Sequence, residues 1–433
     1  MNIKIGKHFT VTAIFSFFGI IITLTSCIPN YPGPIDDWKS EIESSGKTFG
    51  DFRYIDNTET ITITRYTGTG GPVTIPRKID GMFVTAIGIH AFRFTILTGV
   101  TIPDSVTTIG DSAFRDNILE NVIIPNSVTS IGDSAFLGNK LTGVYIPDSV
   151  TSIGDSAFLD NKLTDVTISN SITEIRGSTF QYNELSIVII PGNVTSIGNS
   201  AFSRNQLTSV TIPGSVTFIG GCAFQYNELT SVTIPGSVTF IGGCAFQYNK
   251  LSSVTIPGSV TYIGINAFNN NQIANVLIPN SVKIIGGCAF QYNKLTSVII
   301  PDSITFIEDA VFQKNELASV TIPNSVTCIG SSAFSYNQLS SVIIPGSVTT
   351  LENRAFQNNN LTSVTIPNSV TTIGVGVFEN NLLTSVTIGA NVTLGDFVVG
   401  DSSFNTAYNS TYGKAAGTYT RAGATSTVWT KMP

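Results

Sequence analysis

The chain has 433 residues, of which 42% are apolar and only 12% charged, about half the charged share of an ordinary soluble domain. That composition excludes a disordered chain, because there is ample apolar surface to bury. The formal net charge of −6 comes with no basic cluster, which excludes nucleic acid and a polybasic membrane patch as partners.

Residues 1–26 have the parts of an export leader. Lys4 and Lys7 give a positive start, and an apolar stretch runs from Val11 to Leu24, short for a membrane span of ~20 residues. Leu24-Thr25-Ser26-Cys27 resembles a bacterial lipobox. The resemblance implies a lipoprotein signal peptide over 1–26 and Cys27 as the lipidated first residue, anchoring the chain to a membrane. Loss of Lys4 and Lys7 with the leader takes the net charge to −8. Residues 27–48 are Pro-rich and then polar, and read as a flexible tether.

Residues 49–96 predict an N-terminal cap and an irregular first repeat. DFRYIDNTETITITRY reads as a hairpin turning near Asp56-Asn57, with Ile61 and Ile63 alternating. VTIPRKIDGMFVTAIGIHAF is a first turn with five extra residues between its I-P and its A-F.

From 97 to 390 the chain repeats every 22 residues. LTSVTIPGSVTFIGGCAFQYN occurs unchanged at 207–227 and 229–249. Leu or Ile recurs at 14 anchors from Leu97 to Leu383, with Val three residues later and Ile five later; Pro follows that Ile in 12 of the 14. Phe sits 17 after each anchor from Leu97 to Leu361, and Asn two before each anchor from Leu119 on. Such a period predicts a solenoid whose turns cover one another, no single turn being stable alone. Val210 and Ile212 fall on the inner face of a strand, Ser209 and Thr211 on the outer, and Pro213 ends the ladder. SVTFIG is a second extended piece with Val216 and Ile219 inward. GGCAFQYN is too short for a full helix and predicts a helical or 3₁₀ turn that drives Phe224 inward. The expected fold is therefore β-rich with little helix: a parallel sheet on one face, short extended and helical or 3₁₀ turns on the other, and hairpin caps at both ends. Residues 391–433 form the C-terminal cap, in which AGTYTRAGATSTVWTK is a hairpin covering the last turn.

The turn LxxVxIPxSVTxIGxxAFxxNx is similar to the leucine-rich repeats of the BspA type, found in bacterial surface proteins including treponemal ones, over about residues 73–390. It departs from the ribonuclease-inhibitor type, which has a long outer helix. FNTAYNSTYGKAAGTYTRAG resembles the end element of spirochaetal members. The resemblance implies a leucine-rich repeat solenoid displayed at the cell surface on the outer membrane. It also implies protein partners, with adhesion to host matrix proteins or to other bacterial cells. A periplasmic scaffold binding envelope partners is the alternative. A monomer without cofactor is expected.

Candidate residues follow from the phases of the repeat. Asn117, Asn139, Asn161, Asn183, Asn205, Asn227, Asn249, Asn271, Asn293, Asn315, Asn337, Asn359 and Asn381 read as a structural ladder that satisfies turn backbone groups. The outward strand positions are nearly uncharged. Ser209, Thr211, Ser231, Thr233, Ser253 and Thr255 supply hydroxyls, and Tyr145, Ile189, Leu277 and Ile299 supply apolar spots, with Ile123 and Ile343. This face is either a row of good β-formers in water or a binding surface. Tyr182, Tyr226, Tyr248, Tyr292 and Tyr336 share another phase and read as covers for the Phe column rather than a ligand strip. Cys222, Cys244 and Cys288 read as small fillers rather than partners in a Cys222–Cys244 bridge, because their Cβ vectors would run parallel. No CxxC or Cys/His cluster suggests a metal. The stacked outward positions also lack the convergent acids and bases a glycan-cleaving enzyme needs. Thr195, Thr217 and Thr239 form a column of the kind that binds ice, but Lys283 interrupts it.

Overall fold

A computed structural model describes residues 46–433. The signal peptide, Cys27 and most of the tether lie outside the described residues. The N-terminal cap is an antiparallel set, Lys47–Phe49, Phe52–Asp56 and Thr60–Tyr66. Ile61 and Ile63 on its last strand are fully buried. That strand pairs in parallel with Met82–Ile87, which starts the stack. The five extra residues of the first turn make a small hairpin, Lys78–Ile79 against Met82–Phe83. Asp80 and Gly81 close it with φ of 52° and 83°, the conformation that favours an Asp-Gly pair.

Each later turn contributes two extended pieces. The LxxVxI pieces pair in parallel with neighbouring turns, as Ser253–Thr255 with Asn275–Leu277 and Ser363–Thr365 with Ser385–Ile388. Their ladders are short, because the Pro after Ile has no N–H to donate. The VTxIG pieces carry no proline and pair without interruption from Glu174–Ile175 through six turns to Ile284–Ile285. Here Ser237 donates its hydroxyl to the Val216 carbonyl of the preceding turn at 2.6 Å. A Cβ at Gly242 of I-G would lie 2.4 Å from the Gly221 nitrogen, so glycine suits this position in most turns.

GGCAFQYN folds as two successive hydrogen-bonded turns. Ala223 N–H donates to the Gly220 carbonyl at 3.3 Å and Gln225 N–H to Cys222 at 3.1 Å. Cys222 and Tyr226 adopt φ of 57° and 55°, so a left-handed residue recurs every four positions and no helix propagates. The Cys222, Phe224, Tyr226 and Asn227 amides reach the next turn, Phe224 N–H donating to the Ala245 carbonyl at 2.8 Å, while Gly220 N–H reaches back to the Ile197 carbonyl at 2.8 Å.

Leu207, Val216, Ile219, Ala223 and Phe224 are fully buried, and the same positions are buried along the array. Phe92 to Phe378 form a continuous stack, with ring centroids 5.1–5.9 Å apart. Cys244 and Cys288 are free thiols, so no bridge joins Cys222 to Cys244.

At the C-terminal end Gly417–Thr420 pairs antiparallel with Ser385–Ile388, and Thr430–Lys431 with Gly417–Thr420. These strands cover the open sheet edge. A short helix, Ser403–Thr406, continues into a π-helical turn, Ala407–Thr411. It packs Phe404 edge-on against Tyr419 and Trp429.

Candidate binding surface

The Asn column fixes the frame on which any surface is built. The Asn227 amide donates to the Phe202 carbonyl of the preceding turn at 2.9 Å and to Phe224 of its own turn at 3.2 Å, while its oxygen accepts from Leu207 N–H at 3.0 Å. The pattern holds from Asn117 to Asn381. These amides are spent on backbone groups and have little left for a ligand.

The outward strand face is exposed. Ser209, Thr211, Ser231, Thr233, Ser253 and Thr255 all face solvent. Ile189, Thr211, Thr233 and Thr255 bridge in parallel, one directly beside the next, and Thr255 pairs with Leu277. Ile189 is 79% exposed, Ile343 84% and Ile299 67%; Ile123, Tyr145 and Leu277 are exposed as well. Asp165 is the one charge among the two clearly outward positions of the array strands. Ile187, which the sequence reading passed over, is exposed beside Ile189 on the same strand segment. Its signal was the I-x-I pair where other turns have Ser-x-Thr.

A second apolar row lies on the VTxIG ladder. Phe218, Phe240, Tyr262 and Ile284 stand in register, with the first three rings 5.0 and 4.8 Å apart. Phe306 holds the same phase one turn on. Phe218, Ile284 and Phe306 are exposed. Turns before Phe218 place Ala, Thr, Ser or Glu there, so the row was visible in the sequence only as a change of residue type at one phase.

The tyrosines form a stacked edge of their own. Tyr226 and Tyr248 lie parallel at 4.5 Å. The Arg204 guanidinium sits 5.0 Å from the Tyr182 ring and 4.4 Å from Tyr226. Lys314 is placed likewise between Tyr292 and Tyr336, at 4.9 and 5.2 Å. A cavity of about 520 Å³ opens here, lined by Tyr226, Tyr248, Asn270 and Tyr292, with Glu228 and Lys250.

His90 lies in the irregular first turn, and burial, then Arg93 and Arg115, push its imidazole below the ordinary range, favouring the neutral form. Burial pushes the Cys244 thiol up to about 11 and Cys328, beside Glu352, up to about 12. Glu308 occupies a phase mostly held by glycine, and burial, then Asp309 and Glu352, raise its carboxyl. No group of three or more His, Cys, Asp or Glu among the described residues could hold a metal ion.

A family model described as the BspA type leucine-rich repeat region matches residues 85–208, 173–296 and 283–410. Among solved structures, a leucine-rich repeat protein from Bacteroides ovatus is 22% identical with a TM-score of 0.54, covering 77% of this chain and 92% of that one. A leucine-rich cell surface protein from Faecalibacterium prausnitzii is 31% identical, covering 80% and 89%, with a TM-score of 0.48. The pneumococcal vaccine antigen PcpA is 20% identical with a TM-score of 0.51, covering 76% and 93%. No curated protein matches the chain.

Proposed function

Because the chain belongs to the BspA-type leucine-rich repeat family, we propose that it is an exported protein, lipid-anchored through Cys27, which binds other proteins on the outward face of its strands. The observation that carries the reading is the exposure of Ile123, Ile189, Leu277, Ile299 and Ile343 on a face almost free of charge. Burying such a side chain against a partner gains about 1.5–3 kcal/mol, and the neighbouring Ser and Thr hydroxyls give hydrogen bonds that fix register. The resemblance of Leu24-Thr25-Ser26-Cys27 to a bacterial lipobox supports an exported chain held at a membrane. Adhesion to host matrix proteins or to other cells is the role that fits a tethered face of this kind. The array serves as a scaffold and carries no reaction.

Protease shaving of intact cells tests the placement. Digestion of the mature chain while periplasmic markers survive supports surface display. Full protection overturns it and makes the protein a scaffold inside the envelope, where envelope proteins become the partners to seek.

A further inference from the structure

We propose that the cleft between Tyr248 and Tyr292 is a slot for an arginine side chain of a protein partner. The column around it shows what such a slot holds. One turn separates Tyr182 from Tyr226, and Arg204 of that turn lies between the two rings. One turn separates Tyr292 from Tyr336, and Lys314 fills that space. One turn likewise separates Tyr248 from Tyr292, but there the position belongs to Asn270. Asn270 is short and neutral, and its amide donates to Asn269 of the same turn. The gap thus has the two-turn width of its filled neighbours without a cation of its own, and its walls Tyr248 and Tyr292 and its floor residue Asn270 line part of the cavity of about 520 Å³.

Two further features fit. Tyr248 and Tyr292 are both held at φ of 55°, a region costly for a bulky residue and easy for Asn or Gly; two rings are kept as walls at a phase where Asn stands in other turns. At the rim Lys250 is ion-paired with Glu228, which offsets its charge against an incoming cation. Arginine suits the walls better than lysine, since a planar and weakly hydrated guanidinium stacks on both ring faces at once.

The slot rests on the protein-binding reading but is tested apart from it. The full chain, with its tyrosine rings isotopically labelled, is titrated with Nα-acetyl-arginine amide and followed by NMR. The expected result is a saturable shift of the Tyr248 and Tyr292 ring signals. The neutral citrulline analogue should bind about tenfold more weakly, as loss of the charge over two rings implies. Asn270→Arg, which supplies an internal guanidinium, should keep the fold by circular dichroism and abolish the response. An equal response to the citrulline analogue, a response to glucose instead, or no saturable shift would each overturn the slot. None of these would touch the strand-face reading, which depends on other residues.

Discussion

A single Asn227 side chain serves three buried backbone groups on two turns. Replacing it with leucine leaves Leu207 N–H and two Phe carbonyls without that partner, and a buried unsatisfied group costs about 1–3 kcal/mol. Asn227→Leu should therefore lower stability by about 2–4 kcal/mol, seen as a lower urea midpoint. The same change at half-buried Asn381, the last Asn of the column, should cost less. Equal, negligible effects at both sites would contradict the ladder. Glu308 gives a test with a definite sign. Its carboxyl is raised above the ordinary 4.5 by burial and by neighbouring acids, so the folded state holds a proton that the unfolded chain releases more readily. The favourable contribution is present below the ordinary value and is lost as pH rises through the higher folded value. Glu308→Gln should then melt higher than the parent at pH 7, with the gap closing by about pH 4. A gap that widens on acidification would refute the assignment. The Asn and Phe columns were legible residue by residue, because each recurs at one phase without a slip. The left-handed conformations of Cys222 and Tyr226 were not, because neither residue type signals a positive φ.

At the scale of the element, each turn is a copy that hydrogen-bonds to the turns on either side. Deleting residues 207–250 removes two whole turns and joins Gln206 to Leu251 in register, so Phe202 should stack on Phe268 as it now stacks on Phe224. The shortened chain should retain its β-type circular dichroism and melt cooperatively; collapse to an unfolded spectrum would show that the register is wrong. The period made the two extended pieces legible. It did not reveal that the VTxIG piece carries the longer ladder, because the effect of proline on pairing emerges only once turns are stacked. Nor did it reveal the helix at Ser403–Thr406, since the C-terminal cap stands outside the repeat and its helix is short. The row from Phe218 to Phe306 was missed for another reason: averaging over turns hides a property confined to five of them.

At the scale of the whole array, the stacked Phe rings and parallel ladders explain why near-identical turns suffice for a fold, and why specificity must come from departures from the consensus. The departures proposed for binding are Ile123, Ile189, Leu277, Ile299 and Ile343 on the strand face, and the tyrosine pairs on the edge. Binding through such a face draws little on charge, so it should change little between low and physiological salt. The most direct measurement compares adherence to immobilised host matrix proteins of cells carrying the parent chain and the Ile189→Lys, Ile299→Lys, Ile343→Lys variant. All three side chains are exposed, so the variant should fold as the parent does, each change costing within about 0.5 kcal/mol. Loss of adherence with an unchanged melt is the expected result; adherence equal to the parent's would contradict the assignment of function to this face.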